Sequence, residues 1–186
     1  MADETREILT WNDFGEASRE LAAEIIDSGF ETDVVVAIAR GGLLLAGGIA
    51  YALGVKSCGA VNAEFYTGVG TRLPEPIMLP PLLDEASIVG KKVLLVDDVS
   101  DSGRTLAMVV QLLEAGGADV RTVCLYTKPG TVYEPTYTWR RTPHWIVFPW
   151  SALPPVTPEE ATAARALSAG PLLASAGDPQ DRPSGR

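Results

Sequence analysis

Three acidic residues, Asp97, Asp98 and Asp101, stand close together where an apolar run gives way to a polar segment. Carboxylates accept hydrogen bonds and bind cations, so the first two suit the hydroxyl groups of a sugar or a metal ion. Residues 102–105 add two hydroxyl groups and a glycine, which suit a phosphate held at the start of a helix. A ligand that carries both a phosphate and free ribose hydroxyls would use both halves of this segment.

The elements on either side of these acids are predicted from hydrophobic spacing. Residues 93–96 are apolar and mostly β-branched or leucine, which indicates a buried strand that ends at the two acids. Leu106, Val109, Val110 and Leu113 then recur at helical spacing. The first turn of a helix leaves N–H groups unpaired at the positive end of its dipole. The segment is therefore predicted to be a strand, an acidic loop and a helix.

A second unit of this kind lies earlier in the chain. Residues 34–39 predict a strand covered on both faces, and residues 43–53 predict the next helix. Between them stand Arg40, Gly41 and Gly42, and an arginine is an unusual end for a buried strand. Because ligands of open α/β sheets bind at the carboxyl ends of the strands, Arg40 is a candidate ligand-binding residue. The alternative is an arginine that only caps the helix or pairs on the surface.

The third candidate cation follows another predicted strand. Residues 120–127 are rich in β-branched residues and are closed by Lys128-Pro129-Gly130, so Lys128 is expected at the same edge of the sheet. Residues 133–141 are polar and aromatic and are expected to be irregular. Residues 66–87 contain four prolines and no periodicity, which predicts a long loop that acts as a lid or as a passive linker.

Residues 93–105 resemble the phosphoribosyl pyrophosphate (PRPP) signature of the type I phosphoribosyltransferases. That signature has four apolar residues, two acids, two variable residues, Asp, Ser or Thr, Gly, any residue, and Thr or Ser, and the sequence fits it without a gap. An ordinary capped turn between a strand and a helix needs one such residue and not three acids with Ser-Gly-x-Thr. The resemblance implies an α/β fold with a central, mainly parallel sheet flanked by helices, a flexible lid loop and a small hood.

The resemblance also implies roles by position. Asp101 corresponds to the catalytic general base, and the bond between Ala39 and Arg40 corresponds to a cis peptide. Magnesium (Mg²⁺) would be held by Asp97 and Asp98, directly or through water. PRPP would be bound by Asp97, Asp98, Val99, Ser100, Asp101, Ser102, Gly103, Arg104 and Thr105, and its pyrophosphate by Ala39, Arg40 and Gly41.

The base that would accept the phosphoribosyl group is suggested by motifs that lie mostly near the end of the domain. Lys128-Pro129-Gly130, the sequence WIVFPW at residues 145–150 and Tyr66-Thr67-Gly68 resemble the xanthine/guanine/hypoxanthine branch of that family. The resemblance implies purine binding by Lys128 at O6, by stacking on Trp145 and by the backbone of Ile146. The alternative for Trp145 is a residue that fills the core. A sensor of PRPP without activity, or a transferase for another base, remains a rival to a 6-oxopurine phosphoribosyltransferase of purine salvage.

Composition bounds the remaining possibilities. The chain has 186 residues and a net charge of −9, which disfavours nucleic acid or an anionic membrane as the main partner. The start of the chain has no apolar leader segment, and the two cysteines suit reduced thiols, so a cytoplasmic location is expected. His144 is the only histidine, which excludes a zinc site built on several histidines.

Two regions are predicted along the chain. Residues 1–151 are expected to form the phosphoribosyltransferase domain, and residues 152–186 an Ala/Pro-rich tail. In the tail, Thr157-Pro158-Glu159-Glu160 predicts the start of a short helix that runs to about Ser168, and residues 177–186 are expected to be disordered. The resemblance implies a homodimer or a homotetramer.

Overall fold

The structure, a computed structural model, describes the backbone of residues 6–68, 71–82 and 88–168. It describes the side chains of these residues except residues 63–68, 71–82, 164 and 166–168. In chain order the elements are β1 (Arg6–Ile8), α1 (Trp11–Asp27), β2 (Val34–Ala39), α2 (Gly41–Leu53), β3 (Cys58–Gly68), β4 (Thr71–Leu82), β5 (Lys92–Ser100), α3 (Arg104–Ala115), β6 (Asp119–Thr127), β7 (Tyr137–Arg141), β8 (Trp145–Val147) and α4 (Pro158–Ser168).

The main sheet has six strands in the order β4-β3-β2-β5-β6-β7. Strands β3, β2, β5, β6 and β7 run parallel to one another, and β4 runs antiparallel to β3 at one edge. Because β2, β5 and β6 are parallel neighbours, their carboxyl ends meet at one edge of the sheet. The predicted architecture, a mainly parallel sheet flanked by helices, is confirmed.

Hydrogen-bonded caps fix the starts of helices α1 and α4. At the start of α1, the Thr10 side chain accepts a hydrogen bond from the Asp13 backbone, and the Asp13 carboxylate accepts one from the Thr10 N–H. At the start of α4, Thr157 and Glu160 form the same reciprocal pair. The second of these capping boxes was predicted from the spacing of its residues.

The core follows from strand alternation. Val34, Val36 and Ile38 of β2 share one cluster with Val93 and Leu95 of β5, and the apolar face of α3 covers it. The intervening residues of both strands are also buried, and they face the opposite side, where α1 and α2 pack. Burial on both faces explains why these strands are continuously apolar.

Strand β5 is longer than its apolar run. The prediction that the strand ends at the two acids is wrong, because β5 continues through Asp97 and Asp98 to Ser100. The pairing of Asp97 with Cys124 and of Ser100 with Thr127 on β6 continues the ladder to the end of the strand. Asp97 and Asp98 are half-buried there, and the buried Ser100 hydroxyl has hydrogen-bond partners.

The irregular loop predicted for residues 66–87 is also wrong over most of its length. Strands β3 and β4 form an antiparallel pair with register shifts. The four prolines of the segment lie in β4, which is an edge strand with register shifts. A missing N–H group is tolerated on its outer side, and Pro80-Pro81 lie in the shift between the pairs of Asn62 and Ala60. β3 pairs with β2 only as far as Asn62, which is opposite Ala39, so the rest of the hairpin extends past the end of β2.

Two further strands depart from the predictions. Residues 137–141 form β7, although residues 133–141 were expected to be irregular, because they pair with β6 along its whole second half. β1 was not predicted, and it pairs in parallel with β8 as a separate two-stranded sheet. This small sheet joins the start of the domain to its end.

The chain divides into two compact units, residues 1–149 and residues 150–186. The first contains both sheets and α1, α2 and α3, and the second contains α4. The expected disorder of residues 177–186 lies outside the described residues. Among the described helices, none is long and apolar enough to cross a membrane.

Candidate functional site

Most of the predicted site residues lie in three turns at the carboxyl ends of β2, β5 and β6. Ala39 ends β2, and Arg40 and Gly41 begin the turn into α2. The two acids and Ser100 end β5, and Lys128 directly follows β6. Because the three strands are adjacent, the sheet brings these turns side by side, as ligand sites in open α/β sheets require.

Asp98 and Gly41 form the contact between the first two turns. A side chain at Gly41 would overlap the Asp98 carboxylate, and one at Gly42 would overlap the carbonyl oxygen of Val96. The two glycines therefore let the start of α2 approach the end of β5 more closely than any other residue would allow. The sequence predicted a glycine loop here, but it did not predict that this loop packs on the end of β5.

The Asp97 and Asp98 carboxylates are half-buried and close together. Burial and then the charge of Asp98 raise the pKa of Asp97 well above its usual range, and burial raises the pKa of Asp98. One Asp97 oxygen accepts a hydrogen bond of 2.9 Å from the Asp98 N–H. None of the ion pairs formed by the described side chains involves either acid. The remaining acceptor positions of these carboxylates suit a cation or the hydroxyl groups of a sugar.

Arg40 is the N-cap residue of α2, and its side chain makes no capping hydrogen bond. It is exposed, and it belongs to none of the ion pairs among the described side chains. The structural alternatives of a helix cap and a surface ion pair are therefore not realised. The Ala39–Arg40 peptide bond is cis, as the resemblance implied. The guanidinium is thus available to an anion at this edge of the sheet.

Residues 100–105 form the turn from β5 into α3. Asp101 and Ser102 are exposed, and Gly103 is buried with a φ of 75° in the left-handed region. Ser102 Oγ accepts a long hydrogen bond of 3.5 Å from the N–H of Arg104, the first residue of α3. The turn thus presents hydroxyl groups and the first N–H groups of α3 at the positive end of the helix dipole, which suits a phosphate.

Sequence reasoning did not predict that residues 128–133 contact and support this turn. The Val132 N–H donates to the Ser102 carbonyl at 2.9 Å, and a side chain at Gly103 would overlap Thr131 Oγ1 and approach the Tyr133 N within 2.7 Å. Its only signal in the sequence is the turn-forming Pro129-Gly130 that follows β6. No local pattern indicates which loop such a turn will contact.

The candidate base-binding residues are linked by Lys128. Its ammonium donates a hydrogen bond to the carbonyl of His144, the residue that precedes β8. Trp145 is 68% exposed, so it does not fill the core, whereas Ile146 is buried. The exposed indole is therefore free to contact a flat ligand, and Lys128 is held beside the strand that carries it.

The backbone N–H and C=O groups of Ile146 point away from β1, the strand with which β8 pairs. The Val147 carbonyl accepts a hydrogen bond of 3.1 Å from the Leu9 N–H, so Val147 directs its polar backbone groups toward the β1 side. Successive residues of a strand direct these groups to opposite sides, so the N–H and C=O of Ile146 face the other edge of β8. Among the described residues no third strand pairs with that edge.

The side chains of Tyr66-Thr67-Gly68 lie outside the part of the chain whose side chains are described. The three residues end β3 in the part of the hairpin that passes the end of β2. Their backbone lies in the ladder with β4, where Tyr66 is opposite Arg72 and Gly68 is opposite Thr71.

Comparisons with known proteins agree with this arrangement. Residues 4–154 match the family described as the phosphoribosyl transferase domain. A xanthine-guanine phosphoribosyltransferase from Gluconobacter oxydans is 32% identical over 153 residues, which cover 81% of this chain and 87% of that protein. One from Cereibacter sphaeroides is 32% identical over 149 residues, which cover 76% and 84%.

Solved structures show the same fold. The crystal structure of a purine phosphoribosyltransferase from Pyrococcus horikoshii superposes with a TM-score of 0.69 at 34% identity, covering 82% of this chain and 98% of that one. A Helicobacter pylori xanthine-guanine-hypoxanthine phosphoribosyltransferase, at 19% identity, has a TM-score of 0.67 and covers 87% and 99%. The chain therefore belongs to the phosphoribosyltransferase family.

Proposed function

We propose that this enzyme transfers the 5-phosphoribosyl group of PRPP to a 6-oxopurine, which is hypoxanthine, guanine or xanthine, and releases pyrophosphate. The observation that carries the proposal is the packing of Gly41 on Asp98. It joins a turn suited to pyrophosphate to the acids suited to ribose hydroxyls, and both adjoin the phosphate turn. The named purine phosphoribosyltransferases that resemble this chain support the same reaction.

The PRPP molecule is divided between the turn after β2 and the end of β5 with the turn that follows it. Asp97 and Asp98 accept hydrogen bonds from the ribose 2- and 3-hydroxyls. The backbone N–H groups of residues 101–105, with the hydroxyls of Ser102 and Thr105, hold the 5-phosphate. The Arg40 guanidinium and the turn at Ala39 and Gly41 hold the pyrophosphate. Each assignment matches an acceptor with a donor or an anion with a positive end.

A magnesium ion fits the donor set at this edge. Carboxylate oxygens are the protein ligands that Mg²⁺ prefers, and Asp97 and Asp98 supply them without a basic neighbour among the ion pairs described above. When bound, directly or through water, the ion supplies positive charge that neutralises PRPP and its leaving group.

In the reaction, the bond from the ribose C1 to pyrophosphate breaks and a bond from C1 to a purine nitrogen forms. Negative charge grows on the departing pyrophosphate, where the fixed charge of Arg40 stabilises it. The purine loses a proton, and Asp101, which is exposed at the turn, is placed by its position in the signature to accept it from N7.

Acceptor choice follows from what Lys128 and β8 offer. An ammonium donates to the O6 of a 6-oxopurine and repels the amino group that adenine carries there. The exposed face of Trp145 stacks on the ring, and the Ile146 backbone faces the open edge of β8 to read the 2-position side. The hairpin of β3 and β4, which extends past the end of β2, supports a lid over the reacting carbon.

We propose that the enzyme works in the cytoplasm as a homodimer or homotetramer that assembles through α2. The cysteines are free, which suits a reducing compartment. Helix α2 has no charged residue, and Leu43, Leu44 and Tyr51 are exposed along it, Tyr51 by 94%. Two copies of a chain with net charge −9 repel each other least where both surfaces lack charge.

The assembly is tested by replacing Tyr51 with Glu and measuring the molar mass by light scattering. A fall in mass is expected, to the monomer from a dimer or to a smaller assembly from a tetramer. The matched control is Leu112→Glu, which adds the same charge at an exposed leucine of α3 and should leave the mass unchanged. An unchanged mass for Tyr51→Glu, or a wild-type monomer, would contradict this interface.

The activity is tested by PRPP- and Mg²⁺-dependent nucleotide formation with hypoxanthine, guanine, xanthine and adenine in parallel. Turnover of one or more oxopurines and none of adenine is expected. Asp101→Ala should lower kcat by a factor of about 10² to 10⁴, the usual contribution of a general base. Tight PRPP binding without turnover of any base would overturn the proposal and favour a PRPP sensor.

A further inference from the structure

The turn that is suited to the 5-phosphate rests on another loop of the same chain. Residues 128–133, called the brace here, lie behind residues 100–103. The Lys128 N–H donates to the Ser100 carbonyl at 3.0 Å, and the Val132 N–H donates to the Ser102 carbonyl at 2.9 Å. The phosphate turn therefore has one side open to a ligand and one side fixed to the brace.

Thr131 makes the side-chain contact between the two loops. Its hydroxyl lies 2.8 Å from the Ser100 hydroxyl and 2.9 Å from the Tyr133 carbonyl. Each hydroxyl has one proton, so Ser100 donates to Thr131 when Thr131 donates to the carbonyl. The Ser100 hydroxyl is also 3.0 Å from that carbonyl. Ser100 is 2% exposed, so its hydroxyl is held inside the protein by these groups and is not offered to a ligand.

The same hydroxyl of Thr131 sits where a side chain at Gly103 would be. Gly103 is the N-cap of α3 and adopts the left-handed conformation, so its position sets the direction of the first N–H groups of the helix. Thr131 thus contacts the turn both at its start, through Ser100, and at its end, through Gly103.

We propose that Thr131 is a positioning residue for PRPP, an inference that rests on the proposed function. Its hydroxyl holds the phosphate turn in the conformation that accepts the 5-phosphate before PRPP binds. A turn that is already ordered loses less conformational entropy on binding, so the contact contributes to PRPP affinity without touching the ligand.

The base side of the site is expected to be independent of this contact. Lys128 begins the brace, but it is held by its own backbone bond to Ser100 and by its ammonium bond to the His144 carbonyl. Neither bond uses the Thr131 side chain. Removal of the hydroxyl should therefore weaken PRPP binding and leave the affinity for the purine unchanged.

The test compares Thr131→Val, which replaces the hydroxyl with a methyl group of similar size, with Thr131→Ser, which keeps the hydroxyl. Thr131→Val should raise the KM for PRPP about five- to tenfold, the loss expected for one hydrogen bond. The KM for the purine and kcat should stay within about twofold, and Thr131→Ser should restore most of the PRPP affinity.

A second measurement needs no turnover. PRPP with Mg²⁺ should raise the midpoint of thermal unfolding of wild type and Thr131→Ser more than that of Thr131→Val. If Thr131→Val fails to fold, Ser100→Ala removes the same contact from the other side and should also weaken PRPP binding.

Three results would overturn the inference. Thr131→Val could match wild type in both measurements, or it could raise both KM values equally with a lower unfolding midpoint, which indicates a merely structural role. If the wild type itself turns over no purine, the proposed function fails and the inference fails with it. If the wild type is active but the variants do not differ, only the inference fails.

Discussion

The turn after β2 and the turn after β5 occupy equivalent places, each leading from a buried parallel strand into a helix, but they are shaped by different means. The first is shaped by close packing, because Gly41 and Gly42 press α2 against Asp98 and Val96. The second is shaped by hydrogen bonds from the brace, and Gly103 supplies a left-handed φ. A turn that suits an anion can thus be shaped by glycines that permit close packing, or by hydrogen bonds from a second loop.

The charges of the two turns are also opposite. The turn after β2 carries the exposed cation Arg40, whereas the end of β5 and the turn that follows it carry three carboxylates. Both turns end at a helix N-terminus, which favours anions. The first is therefore suited throughout to pyrophosphate, whereas the second combines a phosphate site with acids that need hydroxyl groups or a cation.

Gly42→Ala tests the close packing of the turn after β2, and it is expected to cause one of the largest losses of stability. The new methyl group would meet the Val96 carbonyl at a distance that neither backbone can relieve easily. We expect a loss of about 3 kcal/mol in the free energy of unfolding, at the upper end for overpacking, measured by urea denaturation. Gly47→Ala is the matched control in the same helix, since nothing lies within 4 Å of that position, and it should stabilise by about 1 kcal/mol. Equal effects of the two variants would contradict the packing explanation.

Arg40→Ala should have the next largest effect, on activity instead of stability. Loss of a cation beside the departing pyrophosphate is expected to lower kcat/KM about a hundredfold. The unfolding midpoint should not change, because the side chain makes no capping bond and no described ion pair. Arg19→Ala is the control, since it removes an exposed positive charge from α1, outside the three turns. A comparable loss in Arg19→Ala would show that general positive charge matters instead of the position of Arg40.

Gly103→Ala separates the two ways in which a glycine acts. The variant combines an unfavourable φ with a collision against the brace, so we expect a loss of about 2–4 kcal/mol in the free energy of unfolding. Gly29 has a φ of 74° and nothing within 4 Å, so Gly29→Ala should cost only about 1–2 kcal/mol. The difference between the two measures the brace contact, and no difference would mean that the brace yields freely.

Among the variants expected to change stability, Asp97→Asn should have the smallest effect, and it should stabilise the protein in the absence of PRPP. A carboxyl group whose pKa is raised by folding binds more protons in the folded state, so stability falls as the pH rises from about 4 through the raised pKa and remains low above it. The variant should therefore unfold at a higher temperature than wild type at pH 7, and the gap should narrow toward pH 4.

The control for Asp97→Asn is Glu114→Gln, which removes one charge from an exposed residue of α3. It should leave the unfolding temperature nearly unchanged at both pH values. A destabilised Asp97→Asn at pH 7 would mean that the carboxylate has a stabilising partner. The same variant should lose PRPP-dependent activity, so stability and function are opposed at this residue.

Local patterns were sufficient where one segment decides its own structure. The capping box of α4 and the apolar runs of β2 and β6 depend on residues within a few positions of each other, and all were predicted. The predictions were wrong where a partner decides. Residues 137–141 become β7 because β6 offers an open edge, and the prolines of residues 71–82 are accepted because β4 has a free side.

The sequence by itself determined the chemistry of this protein: the acids, the hydroxyl-rich turn, the arginine and lysine after strands, and the order in which they occur. Tertiary structure alone decided which turns touch. The contacts of Gly41 with Asp98, of Thr131 with Ser100 and of Lys128 with the His144 carbonyl join residues that are far apart in the chain. Such contacts are set by strand order and close packing, and no local pattern of residues encodes them.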